Sequence, residues 1–271
     1  MRAVFESGRK WYSAHDENKY VGDQHINREN LLKEFPSMVR RLEQLQMQFL
    51  FYQPYECNLR LVREFYANWD PYNGDSSVQI RGQLVTFTPH TLNVLLGTPD
   101  ADPQILKELY IQPPYRQIRH FLCGMHSSAR WIRQRGTGIH HYFPYSHMNW
   151  EARIWAKIIY TCLLQSTHMT NVTHDRVCLI YALMRDDIDL NIGSIIFTGM
   201  NKAWLNPEHR YGFGGVITRF LRNEGVPEED ADFRPPIILK PLAISRTKGT
   251  DAYGLNLTMP EQLNRIEETV A

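Results

Sequence analysis

The strongest constraint on this chain lies behind Asn149, where Ile154, Ile158 and Cys162 run beside a second ridge of Trp155, Ile159 and Leu163. Two adjacent apolar ridges at i, i+4 spacing define a strongly amphipathic helix. Such a helix must be covered by other elements, so it is expected as the central core helix of a helical body.

The rest of the chain supplies that cover. Asn27 or Asn30 opens a short helix that Pro36 interrupts, and a second restarts at Ser37 with Val39, Leu42, Leu45 and Phe49 at helical spacing. Behind Asn58 come Leu59, Val62, Phe65 and Trp69. Asp102 and Pro103 open a short helix through Tyr110, and 115–123 is another, with Ile118, Phe121 and Leu122 inward. Thr173 opens a helix with Val177, Ile180, Tyr181 and Met184 inward, Asn191 one running through Ile192, Ile195, Ile196 and Met200 to Trp204, and a last helix over 216–223 stops at Gly225. Residues 136–149 read as loop.

One interval breaks the helical period. Residues 77–87 alternate apolar and polar around Gly82, which predicts a small β-hairpin. Thr88 then caps a helix with Pro89 at its first position, Leu92, Leu95 and Leu96 on its inner face, and Gly97 as its stop before Pro99. The expected fold class is therefore mainly α: a single multi-helix domain of eight to ten helices with one small β-hairpin (about 77–87) and an extended C-terminal tail. A polar lead-in over 1–25 precedes a helical domain over 26–240. Pro235, Pro236 and Pro241 introduce a loose tail over 241–271, with a short terminal helix from Pro260.

At 271 residues and 43% hydrophobic content, the chain can bury a substantial core. Thirty basic against twenty-nine acidic residues leave +1, so a uniformly basic protein is excluded and any nucleic-acid surface must be local. Cys57, Cys123, Cys162 and Cys178 form no CxxC pair, and residues 1–22 contain no continuous apolar run. Reduced thiols and an intracellular site are expected, with nucleus and cytoplasm not distinguished. Arg153 and Lys157 interrupt the most hydrophobic helix, so no membrane partner is expected, and the sequons at Asn171 and Asn256 read as unused.

Catalytic patterns fail on spacing. Metal-dependent nucleases converge carboxylates on two metal ions. Here Asp186, Asp187 and Asp189 follow a helix, while Glu228, Glu229, Asp230 and Asp232 fall in a loop and read as solvated charge. His120, Cys123 and His126 would drift round a helix axis rather than share a zinc-binding face, so no metal is assigned. Cys162 and Cys178 lie on core stripes, which favours inert burial over nucleophilic use. Gly212, Gly214 and Gly215 lack both the Rossmann third glycine and a following Lys-Ser/Thr, and read as the start of a helix. His168 and His174 could be written as a dyad, but Thr173, Asp175 and Arg176 read better as cap, dipole partner and local pair. No cofactor and no small-molecule ligand are expected.

The feature these tests leave unabsorbed is the stretch 109–150, which has no Asp or Glu in 42 residues. Arg116, Arg119, Arg130, Arg133 and Arg135 give it +5, leaving the rest of the chain at −4. Arg116 and Arg119 share a helix face opposite Ile118 and Leu122, with Trp131, Tyr142, Phe143, Tyr145 and Trp150 nearby in sequence. Arginine beside aromatic rings suits backbone phosphates and stacked bases, so Arg116, Arg119, Arg130, Trp131, Arg133 and Arg135 are the candidate nucleic-acid contacts. The competing reading pairs these arginines with distant carboxylates and uses Trp131 and Trp150 to anchor a loop.

Several segments in order resemble a known family. They are Leu61-Val62-Arg63-Glu64-Phe65-Tyr66-Ala67-Asn68, the hairpin and helix from Val78-Gln79-Ile80-Arg81-Gly82 to Leu95-Leu96-Gly97-Thr98-Pro99, and Ala152-Arg153-Ile154-Trp155. Ser166-Thr167-His168, Val172-Thr173-His174-Asp175-Arg176, Leu190-Asn191-Ile192-Gly193-Ser194-Ile195-Ile196, and Val216-Ile217-Thr218 to Gly225-Val226 continue the series. Together, over roughly 28–230, they resemble the putative plant transposon protein domain of plant mobile elements, and the hairpin with its Leu-Leu-Gly-x-Pro helix is distantly similar to the plant mobile domain of retrotransposon-derived proteins. The resemblance implies origin in a plant mobile element, a retrotransposon, and carries no catalytic residues. The leading functional expectation is a non-enzymatic interaction or assembly module with protein partners or self-association. A nucleic-acid-binding module using 109–150 is the alternative, and a metal-dependent transposase or nuclease comes third.

Overall fold

In the computed structural model, which describes residues 4–72, 76–136, 138–165, 170–206 and 209–244, the expected central helix is α8 (Trp150–Ile158), capped by Asn149 Oδ1 accepting from Ala152 N at 2.8 Å. It runs into a π-helical turn, Ile159–Leu163, where Leu164 N donates to Ile159 O at 2.7 Å. The widened turn buries Ile159, Tyr160, Cys162 and Leu163 together, and each fully buried side chain of this size contributes on the order of 1.5–3 kcal/mol. Against α8 packs α9 (His174–Leu183), buried at every position from Val177 to Leu183.

The preceding helices follow from their caps and breaks. α1 (Arg9–Ala14) comes first, then α2 (Arg28–Glu34), with Asn27 Oδ1 accepting from Asn30 N at 2.8 Å. Pro36 heads α3 (Pro36–Gln44), which ends before Gln46 at φ 54°. α4 (Leu59–Asn68) is capped by Asn58 and carries Phe65 and Tyr66 into an aromatic core with Trp69 and Phe87. In the polar lead-in expected over 1–25, α1 lies on α4, and Trp11 stacks on Tyr66 at 5.2 Å.

The hairpin is present as β1 (Ser77–Ile80) and β2 (Gln83–Thr86), in antiparallel register with Val78 opposite Val85. Arg81 and Gly82 hold φ of 47° and 84°, the positive values of a two-residue turn matched to strand twist. α5 (Pro89–Leu96) opens on a reciprocal cap between Thr88 and Thr91 and stops at Gly97, φ 72°. It packs on α10 (Ile192–Leu205), where a Cβ on Gly193 would meet Pro89 O at 2.2 Å. α6 (Gln104–Ile111), α7 (Tyr115–Cys123) and α11 (Gly214–Asn223) complete eleven α-helices among the described residues, the one beyond the expected number being α1.

The loop expected at 136–149 is corrected by a second sheet. β3 (Ile132–Arg133), β4 (His140–Pro144) and β5 (Asn171–Thr173) form an antiparallel sheet in that order, with Phe143 opposite Val172. Only Phe143 of β4 is fully buried, so the strand shows no apolar alternation, and its pairing depends on a partner some thirty positions away.

After α11 no regular element follows among the described residues. Leu242 N donates to His25 O at 2.8 Å, Lys157 Nζ to Ala243 O at 2.7 Å, and Leu242 and Ile244 are buried. The terminal helix expected at Pro260, the rest of the tail beyond 244, the Asn256 sequon and His168 lie outside the described residues. No helix among the described residues is long and apolar enough to cross a membrane.

Candidate nucleic-acid interface

The acid-free stretch occupies α7, the β3–β4 hairpin and the short turn before α8. Ile118, Leu122 and Cys123 turn α7 onto the core, which leaves Arg116 exposed and Arg119 half-buried one turn later. Asn149 fixes the far end, donating its Nδ2 to Phe121 O at 2.9 Å and its backbone N–H to Leu122 O at 2.6 Å.

In the hairpin, Gln134 N donates to Ile139 O at 2.8 Å, and Gly136 and Gly138 supply φ of 88° and 68°. Arg130 just precedes β3, Arg133 stands opposite His140, and Arg135 sits near the tip; all three are exposed. The hairpin meets α7 through rings: Tyr115 and His140 have centroids 4.0 Å apart, and Tyr115 Oη lies 3.3 Å from His174 Nε2.

Trp131 sits inside this seam. It is half-buried, edge-on to Tyr115 at 5.2 Å and to Phe143 at 5.4 Å, and its Nε1 has no hydrogen-bond partner among the described residues. The indole lies between the hairpin and α7, in contact with rings of both. On β4, Tyr142 is half-buried and His141 exposed.

Among the other arginines, Arg41, Arg63, Arg176 and Arg210 donate to backbone carbonyls. Arg28, Arg40, Arg60, Arg81, Arg185, Arg222 and Arg234 each reach a carboxylate. Arg116, Arg119, Arg130, Arg133 and Arg135 reach none among the described residues; Arg119 Nη2 has only His120 Nε2 at 3.4 Å. Burial pushes His120 below the usual imidazole range, helped by Arg119 and Arg116, and burial with Arg133 does the same to His140. Both imidazoles are thus neutral at neutral pH, and the positive charge of this face rests on the guanidinium groups.

Among the described residues no group of three His, Cys, Asp or Glu could hold a metal ion. All four cysteines are buried. Asp186 faces Arg40 and Asp187 faces Arg185. At the start of α9, Thr173 occupies the cap position without a side-chain cap bond, Asp175 pairs with Lys202 at 3.0 Å, and Arg176 donates to Leu164 O at 3.0 Å and lies over the Tyr160 ring.

Two arrangements were not foreseen. The loop carboxylates expected to be solvated are not all so: Asp232 is 6% exposed and accepts from Arg81, Asn58 Nδ2 and Glu229 N, while Glu228 accepts from Arg222, Arg234 and Asn58. Arg81 and Asn58, more than 140 positions away, draw this loop inward, and Arg222 and Arg234, six positions off, hold Glu228 locally. The glycine run does start α11, but its first turn is capped remotely: Asp23 Oδ2 accepts from Gly215 N at 2.7 Å, and Gln165 bridges Asp23 and Phe213 N. A Cβ on Gly214 would meet Cys57 Sγ at 2.4 Å, which explains a glycine there.

The family model of the putative plant retrotransposon-related domain matches residues 43–227, about two-thirds of the chain. No curated protein and no solved structure matches.

Proposed function

Since the chain belongs to the putative plant retrotransposon-related domain family, and so to a mobile-element lineage, we propose that it is a non-catalytic binding module whose 109–150 face contacts nucleic acid. The observation that carries this reading is that five arginines share one acid-free surface with no carboxylate partner among the described residues, while Arg41, Arg63, Arg176 and Arg210, which also lack one, are held by backbone carbonyls. Uncompensated guanidinium groups on an exposed hairpin and helix are suited to phosphate oxygens and to release of condensed counterions. With two anchoring points, α7 and the hairpin, the surface suits a backbone-tracking contact without base selectivity.

Electrophoretic mobility with single- and double-stranded RNA and DNA over a salt series tests it. Retardation at low salt that fades as salt rises, and that weakens in Arg130→Ala/Arg133→Ala/Arg135→Ala, is expected. Absent retardation at low salt, or an unchanged triple variant, would overturn it.

A second reading, protein contact or self-association, draws support from Leu84 on β2 and Val94 on α5, which are 71% and 69% exposed. Light scattering of the chain against a Leu84→Ser/Val94→Ser variant separates it: a change of mass between them would favour assembly.

A further inference from the structure

We propose that a separate cavity, bordered by the start of α9, the C-terminal half of α10 and residues 209–210, binds a phosphate monoester of nucleotide size. Its volume is about 550 Å³, within the range of small-ligand sites. Of the stretch 109–150 it uses only His141, so it stands or falls independently of the interface proposed above.

Charge is the first argument. Arg176, Lys202 and Arg210 line the cavity with His141, His174 and His209, and Asp175 is the sole acid among its described lining residues. Asp175 is already engaged by Lys202 at 3.0 Å and by His174 Nδ1 at 3.5 Å. Three permanent cations against one carboxylate leave about two positive charges, matching a phosphate monoester dianion.

The second argument is how the guanidinium groups are held. Arg176 Nη2 donates to Leu164 O at 3.0 Å and the group lies 4.3 Å over the Tyr160 ring, while its Nε is buried with no partner among the described residues. Arg210 Nη2 donates to Asn18 O at 3.0 Å. Carbonyls orient both groups without neutralising them, which leaves their charge and their remaining Nη donors for phosphate oxygens. The third argument is space. Ala203, next to Lys202 on α10, presents only a methyl to the cavity and keeps that wall low.

A phosphate monoester can arrive as a free nucleotide or as the phosphorylated end of a strand. Isothermal titration of the full chain with a ribonucleoside 5′-monophosphate, and with the unphosphorylated nucleoside, reads the first source. A 5′-phosphorylated oligonucleotide compared with its 5′-hydroxyl counterpart reads the second. Saturable binding of the monophosphate but not of the nucleoside, or a preference for the phosphorylated strand, supports the site. The Lys202→Gln/Arg210→Gln variant should weaken either signal about tenfold or more, Lys202→Arg should retain it, and Arg130→Ala/Arg133→Ala/Arg135→Ala should leave monophosphate binding unchanged. Ala203→Leu narrows the cavity with every charge in place and should also weaken binding, which separates loss of the site from loss of folding. Neither monophosphate binding nor strand preference, or binding untouched by both Lys202→Gln/Arg210→Gln and Ala203→Leu, would overturn the proposal.

Discussion

Arg81 donates to Asp232 Oδ1 at 2.6 Å, fastening the turn of the first hairpin to the segment after α11 across 151 positions of sequence. The Arg81 backbone N–H also donates to Glu64 Oε1 at 2.8 Å, and its Nη1 to Pro227 O at 2.8 Å, so one residue ties three elements. Both ends of the pair are shielded, with side chains 9% and 0% exposed. Removing one member leaves an uncompensated buried charge, so Asp232→Ala should lower unfolding stability by about 3–5 kcal/mol in denaturant titration. A loss below about 1 kcal/mol would show that the pair behaves as a surface contact.

The same cluster sets an acid limit. Hydrogen bonds from Arg222 hold Glu228 at about 2 against the opposing effect of burial. Burial alone would raise Asp232, but bonds from Arg81 and Asn58 outweigh it and hold it at about 2 as well. Folded values below the unfolded ones, about 3.9 for Asp and 4.3 for Glu, mean that this stabilisation is complete above the unfolded values and lost as pH falls through the folded ones. Stability followed between those limits should drop steeply in the native chain and less so in Asp232→Asn.

Asn93 organises the seat of α10. It is buried, accepts from Gly193 N at 2.6 Å and Thr98 Oγ1 at 2.8 Å, and donates to Asp100 and Asn191. Asn93→Ala strands two buried donors at about 1–3 kcal/mol each. Gly193→Ala drives a methyl into the Pro89 carbonyl and should cost at least about 1–3 kcal/mol. Thermal melts of both variants against Val94→Ala, an exposed neighbour that should change little, check the assignment.

If 109–150 binds backbone phosphates, its salt dependence is quantitative. Each phosphate contact contributes about 0.7–0.9 to the slope of log K on log salt, so the Arg130, Arg133 and Arg135 triple alanine variant should lower the slope by about 2–3. Trp131→Ala should lower stability by loosening the hairpin while removing no charge of its own. A full slope in the triple variant would remove the hairpin from the interface.

Burial pushes the thiols of Cys57, Cys123, Cys162 and Cys178 up to about 12, far from the thiolate form that reacts. Native protein at neutral pH should label slowly with a thiol reagent, and all four should label after denaturation. Rapid modification of one thiol in the native state would locate a local opening.

Local chemistry was legible in the sequence and long-range pairing was not. Asn27, Asn58, Thr88, Asn149 and Asn191 all cap the helices they were expected to open, and Gly97 and Gly225 stop theirs in positive φ. Those signals need only neighbours a few residues away. The sheet of β3, β4 and β5 escaped because His140–Pro144 has no alternation to read, and its partner Asn171–Thr173 follows the whole of α8. Asp232 reads as solvated in the sequence because nothing nearby signals Arg81, its partner 151 positions away. Of the candidate interface, the uncompensated charge was visible as an absence of acids, but the clamping of Trp131 by Tyr115 and Phe143 depends on contacts from α7 and β4.

The bond from Leu242 N to His25 O lays the segment after α11 across the stretch between α1 and α2, and Lys157 Nζ on Ala243 O ties the same segment to α8. The segment is a clasp over two helices distant in sequence, so trimming the chain back to α11 should speed amide exchange in α2 and α8 together.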